Sequence, residues 1–467
     1  MRRRVVNSFN ELKGLGNRII NRDFRGNTGQ AVKNSTYQIG ITIVSKVSAL
    51  AFTIIIARLL QPELFGLYGL ALSTILIFAS FSDLGIGITA ITFISNNLSE
   101  NKDSKARGYL EYLLKYKLLL LLLISLALLA SSYYISNIFY NKPLFYALLA
   151  GIIYIPLIGL TGFFTEVFIS MNNFKIGLIK ETIFQFLRLI LVPLVIILLL
   201  GNVNDQLLIA SIILILTFSY LLTTLYVSFK LKGSRILKSV KEKINSREKL
   251  ELKRFVLPLS VTALSGSFFG SIDMMMLGHY IPLTEFLGYY LAAFSLAIAA
   301  SAILAFSATA LLPILSGLKG NQLERGFKKA MSITLLITLS AGIFTYLFAE
   351  IIILAYGQDY QIAVPLLKLF SIIVITAPII ALYSTYYISQ KKTKEYAALL
   401  ILSTIINIVL NYVLIVSLLP RGMFAAVMGA GVATVISRII YLGTLMFFRK
   451  RQFSMIKFKN SFNFQEK

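Results

Sequence analysis

Glu63-Leu64-Phe65-Gly66-Leu67-Tyr68 recurs 222 residues further on as Glu285-Phe286-Leu287-Gly288-Tyr289-Tyr290. Each copy follows one long apolar run and opens the next. Arg107-Gly108-Tyr109 returns as Arg325-Gly326-Phe327 after 218 residues, and Phe168-Ile169-Ser170 as Tyr387-Ile388-Ser389 after 219. Each match is short, but all three hold one register, so the order and spacing of the apolar runs is kept between the halves. A membrane chain built twice on one plan is the pattern of a transporter that rocks about a central site.

Composition points the same way. The chain is 57% hydrophobic, with a mean hydropathy of +0.79, far above a soluble domain. A bilayer crossing takes about 20 mostly apolar residues. Twelve runs qualify: 37–60, 66–94, 109–132, 143–170, 177–200, 206–229, 255–278, 286–315, 328–355, 362–388, 396–418 and 423–448. The expected fold is an all-α polytopic membrane protein. Pro156 and Pro313 interrupt spans 4 and 8, and a proline in a span kinks it. Arg2, Arg3 and Arg4 are followed by a polar stretch rather than an apolar one, so no signal peptide is read there.

An even number of spans puts both termini on one side. That side collects 36 of the 45 Lys and Arg, and the other only Arg58, Lys142 and Arg421. Basic loops stay in the cytoplasm, so both termini are expected there. The net charge of +25 is then a topology signal against an anionic leaflet, not a mark of nucleic acid. The expected organisation is a basic amphipathic segment at 1–36, a six-helix bundle at 37–229, a basic linker at 230–254, a second bundle at 255–448 and a basic tail at 449–467. Val5, Phe9, Leu12, Gly16 and Ile19 recur at helical spacing, as expected of a helix lying on the inner surface. The tail, with Phe453, Ile456, Phe458 and Phe462 among lysines, reads the same way.

Catalytic signals are missing. There is no cysteine and one histidine, His279, so no thiolate nucleophile, disulfide or H-E-x-x-H metal site is available, and no phosphate-binding loop of the G-x-x-x-x-G-K-[ST] type occurs. No cofactor or metal is expected, and the external loops are too short to form a catalytic domain.

Ionisable groups within spans are expensive and mark candidate sites. Lys46, Asp83, Arg188 and Arg438 each lie 9–11 residues from the termini-side end of their spans, roughly 14–17 Å deep and near the middle of the bilayer. Lys46 and Asp83 are expected to pair. Arg188 and Arg438 have no acid at their level, which points to a cavity that receives an anion, since a guanidinium binds phosphate through two parallel bonds. Asp273, followed by Met274-Met275-Met276, is expected to pair with Lys368 or to hold a cation or proton. His279 lies at the outer interface, where it needs no special role, although a part in proton coupling stays open. Lys115 and Lys117 are expected to snorkel from near the inner end of span 3, and Glu166 and Glu350 to sit at solvated span ends. Gly66 and Gly288 are expected to permit a sharp helix entry. Gly266 and Gly270 form a G-x-x-x-G pattern expected to pack within the second bundle. Tyr133, Tyr134, Tyr289 and Tyr290 are expected in the interfacial belt.

The run Ala57-Arg58-Leu59-Leu60-Gln61-Pro62-Glu63-Leu64-Phe65-Gly66-Leu67-Tyr68, with Phe81-Ser82-Asp83-Leu84-Gly85-Ile86 after it, resembles the start of Wzx-type polysaccharide flippases, of the multidrug/oligosaccharidyl-lipid/polysaccharide exporter superfamily. Asn407, Asn411 and Gly429-Ala430-Gly431-Val432-Ala433-Thr434 agree at the other end, although Val427-Met428 replaces a more compact Gly-Ala run. The resemblance implies two six-helix bundles around a central cavity and alternating access. It also implies an oligosaccharide cargo on a polyprenyl phosphate or diphosphate, moved across a prokaryotic plasma membrane beside other polysaccharide-assembly proteins. Arg188, Arg438 and Lys46 would then meet the anionic head group and Arg58 its exit, unless Arg58 only caps its helix. Two other functions fit less well. A drug/cation antiporter of the same superfamily calls for an acidic cavity, and a glycan polymerase or ligase calls for a large external loop.

Overall fold

The computed structural model describes residues 26–311, 315, 318, 320–390 and 392–462. The surface segment expected around Val5–Ile19, Pro313 and the tail side chains from Phe453 onward lie outside the described residues. Among the described residues the chain is helical throughout, and eleven helices are long and apolar enough to cross a bilayer. The first of them, α1 (Gly26–Ser80), has 55 residues. At 1.5 Å per residue it is about 80 Å long, more than twice the ~30 Å hydrocarbon layer. Gln61 divides it, with φ 59° and ψ 170°. The cause is local. Pro62 has no N–H for the carbonyl of Arg58, and the Gln61 side chain takes its place, Nε2 donating to that oxygen at 3.1 Å. α1 therefore makes two crossings, and the total among the described residues is twelve.

The second crossing does not run unbroken to 94 as its hydropathy predicts. It stops at Ser80, turns through Phe81–Gly85, and resumes as α2 (Ile86–Ser99). Leu84 and Gly85 both have positive φ, 43° and 73°. The chain continues with α3 (Asp103–Tyr133), extended by a π-helical turn to Tyr140, then α4 (Phe145–Ser170), α5 (Phe174–Leu199) and α6 (Asp205–Lys232). Pro156 is carried inside α4 without breaking it. The second half is α7 (Ser246–Tyr280), α8 (Thr284–Ala310), α9 (Gly320–Leu347), α10 (Val364–Ser389), α11 (Thr393–Leu418) and α12 (Met423–Phe462). The duplication is visible in the bounds. α4 and α10 differ by 219 at both ends, and so do α5 and α11.

Each half packs mainly on itself. α1 lies along α5, with Gly40 against Leu178 and Gly177 against Ile41. Small residues permit this approach, and packing rather than hydrophobic exclusion holds helices together in lipid. The halves meet at the repeated motif. A Cβ on Gly66 would strike the carbonyl oxygen of Thr284, and one on Gly288 would strike that of Pro62. These contacts are equivalent under the repeat. Gly66 and Gly288 are thus crossing points between halves, not helix entries, and neither has a positive φ. Tyr289 and Tyr290 are buried at this crossing instead of lying in the belt, whereas Tyr133 and Tyr134 are exposed.

The linker between the halves is fastened to the start of α3. Arg107 donates to the carbonyls of Leu237 and Ser239 at 2.9 and 2.6 Å. Asp103 pairs with Arg235, Glu111 with Lys241 and Lys105 with Glu248. Asn245 and Glu248 then form a capping box that starts α7.

Candidate functional site

A cavity of about 450 Å³ lies where the 81–85 break faces α3, α4 and α7. Its polar lining comes from Ser80, Ser82, Asp83, Lys117, Glu166, Ser267 and Ser271. Lys117 Nζ is 3.1 Å from Asp83 Oδ1, with the lysine side chain 3% exposed and the aspartate 41%. The ammonium is thus the covered partner and the carboxylate the accessible one. Glu166 Oε2 is buried and meets no hydrogen-bond partner among the described residues. Glycines make the room. A Cβ at Gly87 would collide with the Glu166 carboxylate, and one at Gly159 would touch the Lys117 stem. A Cβ added at Gly162, Gly266 or Gly270 would meet nothing from another element within 4 Å.

Several expected partners are exchanged. Asp83 pairs with Lys117, not with Lys46, which is exposed on α1. The helix break turns Asp83 toward α3, and Lys117 has no need to snorkel once it has found an acid. Lys115 is exposed. Lys368 pairs with Glu350 at 3.0 Å, not with Asp273. Glu166 is not a solvated end, because the break lets α4 reach the cavity. Gly266 and Gly270 line that cavity rather than packing in the second bundle. The pattern that could have found these residues was Gly159, Gly162 and Glu166 at helical spacing on span 4.

Arg188 and Arg438 occupy the interiors of opposite halves and do not line this cavity. The Arg188 guanidinium stands over Phe52 at 4.5 Å and Phe184 at 5.3 Å, and its Nε and one terminal nitrogen find no acceptor among the described residues. Arg438 stands over Phe269 at 5.1 Å, and Asp273 is the carboxylate in its surroundings. Asp273 accepts from Asn411 at 2.6 Å, Thr434 at 2.5 Å and Tyr290 at 2.8 Å. Asn407 donates to Ser437 at 3.2 Å.

At the end of the molecule away from the termini the halves are tied across their interface. Arg58 donates to the carbonyls of Ala355 and Leu354 at 2.7 and 3.2 Å. It does not cap its own helix. Tyr360 donates to the Ala57 carbonyl at 2.9 Å. Lys142 is buried and donates to Gly278 at 2.7 Å and Ile281 at 2.8 Å. Its ammonium is pulled down to about 8 by burial. The His279 ring stacks on Phe139 at 4.4 Å, and its Nδ1 meets the Phe139 carbonyl at 2.7 Å. His279 therefore has a position in the tie that its place at the interface did not require.

Two matched bundles, crossing at a repeated glycine and lining a polar cavity between them, define a polytopic membrane protein built on an internal repeat. The sequence matches the family described as polysaccharide biosynthesis protein over residues 31–319, and the chain belongs to that family. The family described as MatE matches residues 258–413. No curated protein matches the chain in sequence. Among solved structures, the fold is similar to an inward-facing multidrug resistance MATE family transporter of the MOP superfamily. The TM-score is 0.67 at 15% identity, covering 89% of this chain and 95% of that one. It is also similar to the lipid II flippase MurJ in an inward closed conformation, with TM-score 0.66, 16% identity and coverage of 88% and 87%. An outward-facing MATE transporter of the MOP superfamily superposes with a TM-score of 0.57 at 15% identity, covering 93% of this chain and 98% of that one.

Proposed function

We propose that the protein is a flippase. It moves a polyprenyl-(di)phosphate-linked oligosaccharide or repeat unit from the inner to the outer leaflet of a prokaryotic plasma membrane, by alternating access and with both termini in the cytoplasm. The observation that carries this reading is membership of the polysaccharide biosynthesis family. The cavity supports it, since serines, carboxylates and unfilled glycine faces suit a hydroxyl-rich cargo. Arg188 supports it as well. A buried guanidinium with unused N–H groups is costly unless an anion completes it. Arg188, Arg438 and Lys46 are the proposed contacts for the phosphates. Arg58, occupied by carbonyls in this conformation, becomes available at the exit once the ties part.

A drug or cation exporter is the second reading. Two observations favour it: the MatE match, and a cavity whose charged lining is two acids, Asp83 and Glu166, against one Lys117.

Reconstituted vesicles separate the two. Scrambling of a fluorescent polyprenyl-diphosphate oligosaccharide, with large loss in Arg188→Ala and Arg438→Ala, is the expected result. Uptake of an organic cation with no lipid scrambling would replace the flippase reading by the second. Scrambling unaffected by either substitution would remove the arginines from the site and leave the flippase.

A further inference from the structure

A second concavity lies on the lipid-facing side of the same helices. It holds about 440 Å³ between α3 and α7, between Tyr116 and Leu119 on one side and Leu252, Val256 and Leu257 on the other. Leu119 and Leu257 are exposed, as befits a surface toward lipid chains. Its lining is not uniformly apolar. Lys253 belongs to it, and one turn earlier Lys249 stands 5.8 Å over the ring of Tyr112, which also lines it. Neither lysine is in an ion pair among the described residues. α3 and α7 both run away from the termini side, so the two lysines mark the groove end nearest that surface. The apolar part follows toward the membrane centre.

The groove and the central cavity share a thin wall. Leu84 lines the groove and Asp83 the cavity; Tyr116 lines the groove and Lys117 the cavity. Along α7 the groove residues end at Ser260 and the cavity residues begin at Gly266. In this conformation the wall is shut. Ser260 donates to the Leu84 carbonyl at 2.8 Å, and Leu259 packs on Gly85, where no Cβ would fit.

We propose that this groove is where the carrier lipid waits before it is moved. Its polyprenyl chain lies along Leu119, Val256 and Leu257, and its phosphate meets Lys249 and Lys253. The proposal rests on the flippase reading and adds to it a place and an occupant. An ordinary phospholipid would meet the same two lysines. The polyprenyl carrier is favoured by continuity: a lipid that is only solvent for the protein has no use for a groove that ends, one residue away, at a polar cavity. Separation of α7 from the 81–85 break would join the two spaces. The head group would then pass inward while the chain stays in the bilayer. Charge at one end, an apolar trough beyond it and a polar space behind the wall match such a lipid in order.

The test is photo-crosslinking of the full-length protein in phosphatidylcholine vesicles with a diazirine-bearing polyprenyl diphosphate, mapped by peptide mass spectrometry. Labelling is expected on 112–120 and 252–260. It should be lost in Val256→Trp, which fills the groove, and in the double variant Lys249→Ala/Lys253→Ala, which removes both charges and leaves the apolar trough in place. Excess unlabelled polyprenyl phosphate should compete, and excess phosphatidylglycerol should not. Labelling elsewhere, labelling unchanged in both variants, or equal competition by phosphatidylglycerol would overturn the proposal. Scrambling assays on the same vesicles keep the two ideas apart. Wild-type scrambling without groove labelling sinks the groove alone. Groove labelling without scrambling supports the lipid site and removes the transport reading.

Discussion

The two halves use the same scaffold around different polar centres. Tyr68 and Tyr290 are repeat equivalents, and each stands in the surroundings of its own half's buried arginine. In the first half that arginine is Arg188 on α5, held by Phe52 and Phe184 with N–H groups to spare. In the second half the repeat equivalent of Arg188 is Asn407, and the arginine has moved to α12 as Arg438, close to Asp273. The carboxylate there already has three donors. Both arginines keep an unpartnered Nε among the described residues, and what differs is the acid in their surroundings: Glu181, paired with Lys180, for Arg188, and Asp273, held by three neutral donors, for Arg438. Duplication preserved the helices, and the chemistry then diverged inside them.

The shared scaffold makes the largest prediction. Gly288→Leu and Gly66→Leu should each abolish folded, monodisperse protein in detergent. The obstacle is a backbone carbonyl, so the cost should exceed the ~1–3 kcal/mol of ordinary overpacking. Tolerance at one glycine and collapse at the other would break the symmetry of the crossing.

The divergent centres make the next two. Asp273→Ala leaves Asn411, Thr434 and Tyr290 without the carboxylate they donate to, and removes the acid from the surroundings of Arg438. It should cost about 3–5 kcal/mol, the range for removing one partner of a buried charged set, read as a fall in thermal melting temperature. Arg188→Leu should cost less, about 2 kcal/mol, the size of a desolvated cation–π contact, because its Nε and one terminal nitrogen meet no acceptor among the described residues. A larger loss for Arg188→Leu than for Asp273→Ala would reverse the contrast drawn between the halves.

The ties across the outer end are smaller. Arg58→Ala removes bonds to two carbonyls and should shift the closed population by about 1–2 kcal/mol. Distances between spin labels on the two halves would report it, and the absence of native cysteines makes every introduced one unique. Lys142 adds a pH dependence. Its closed-state value of about 8 lies below the ordinary ~10.4 of an exposed lysine. Between those values the open form binds more protons, so closure should strengthen as pH rises through that window. The same labels should show no such trend in Lys142→Met.

Twelve crossings, the duplication and the family were legible because hydropathy and repeated motifs are local signals. The break at 81–85 was not, since Phe81, Ser82 and Leu84 sit comfortably in an apolar run, and the contacts made by the turn, Gly85 on Leu259 and the Leu84 carbonyl on Ser260, come from a helix 170 or more residues away. Missing the break also misplaced the charge partners. Depth arithmetic assumes straight helices, so Asp83 was matched to Lys46 at its own level instead of Lys117, and Glu166 was assigned to solvent. Arg188 and Arg438 were legible as buried cations, one in each bundle, but the aromatic rings beneath them were not, because Phe52, Phe184 and Phe269 are ordinary members of apolar runs.

The reciprocal contact at Gly66 and Gly288 has a meaning beyond packing. It is isologous, the kind of interface a protein makes with an identical copy of itself about a two-fold axis. A half-length ancestor of six spans could assemble through this one surface, each glycine seated on its partner's carbonyl. Joining the genes would need no new interface, only a linker, and each half would then be free to change its interior without consulting the other.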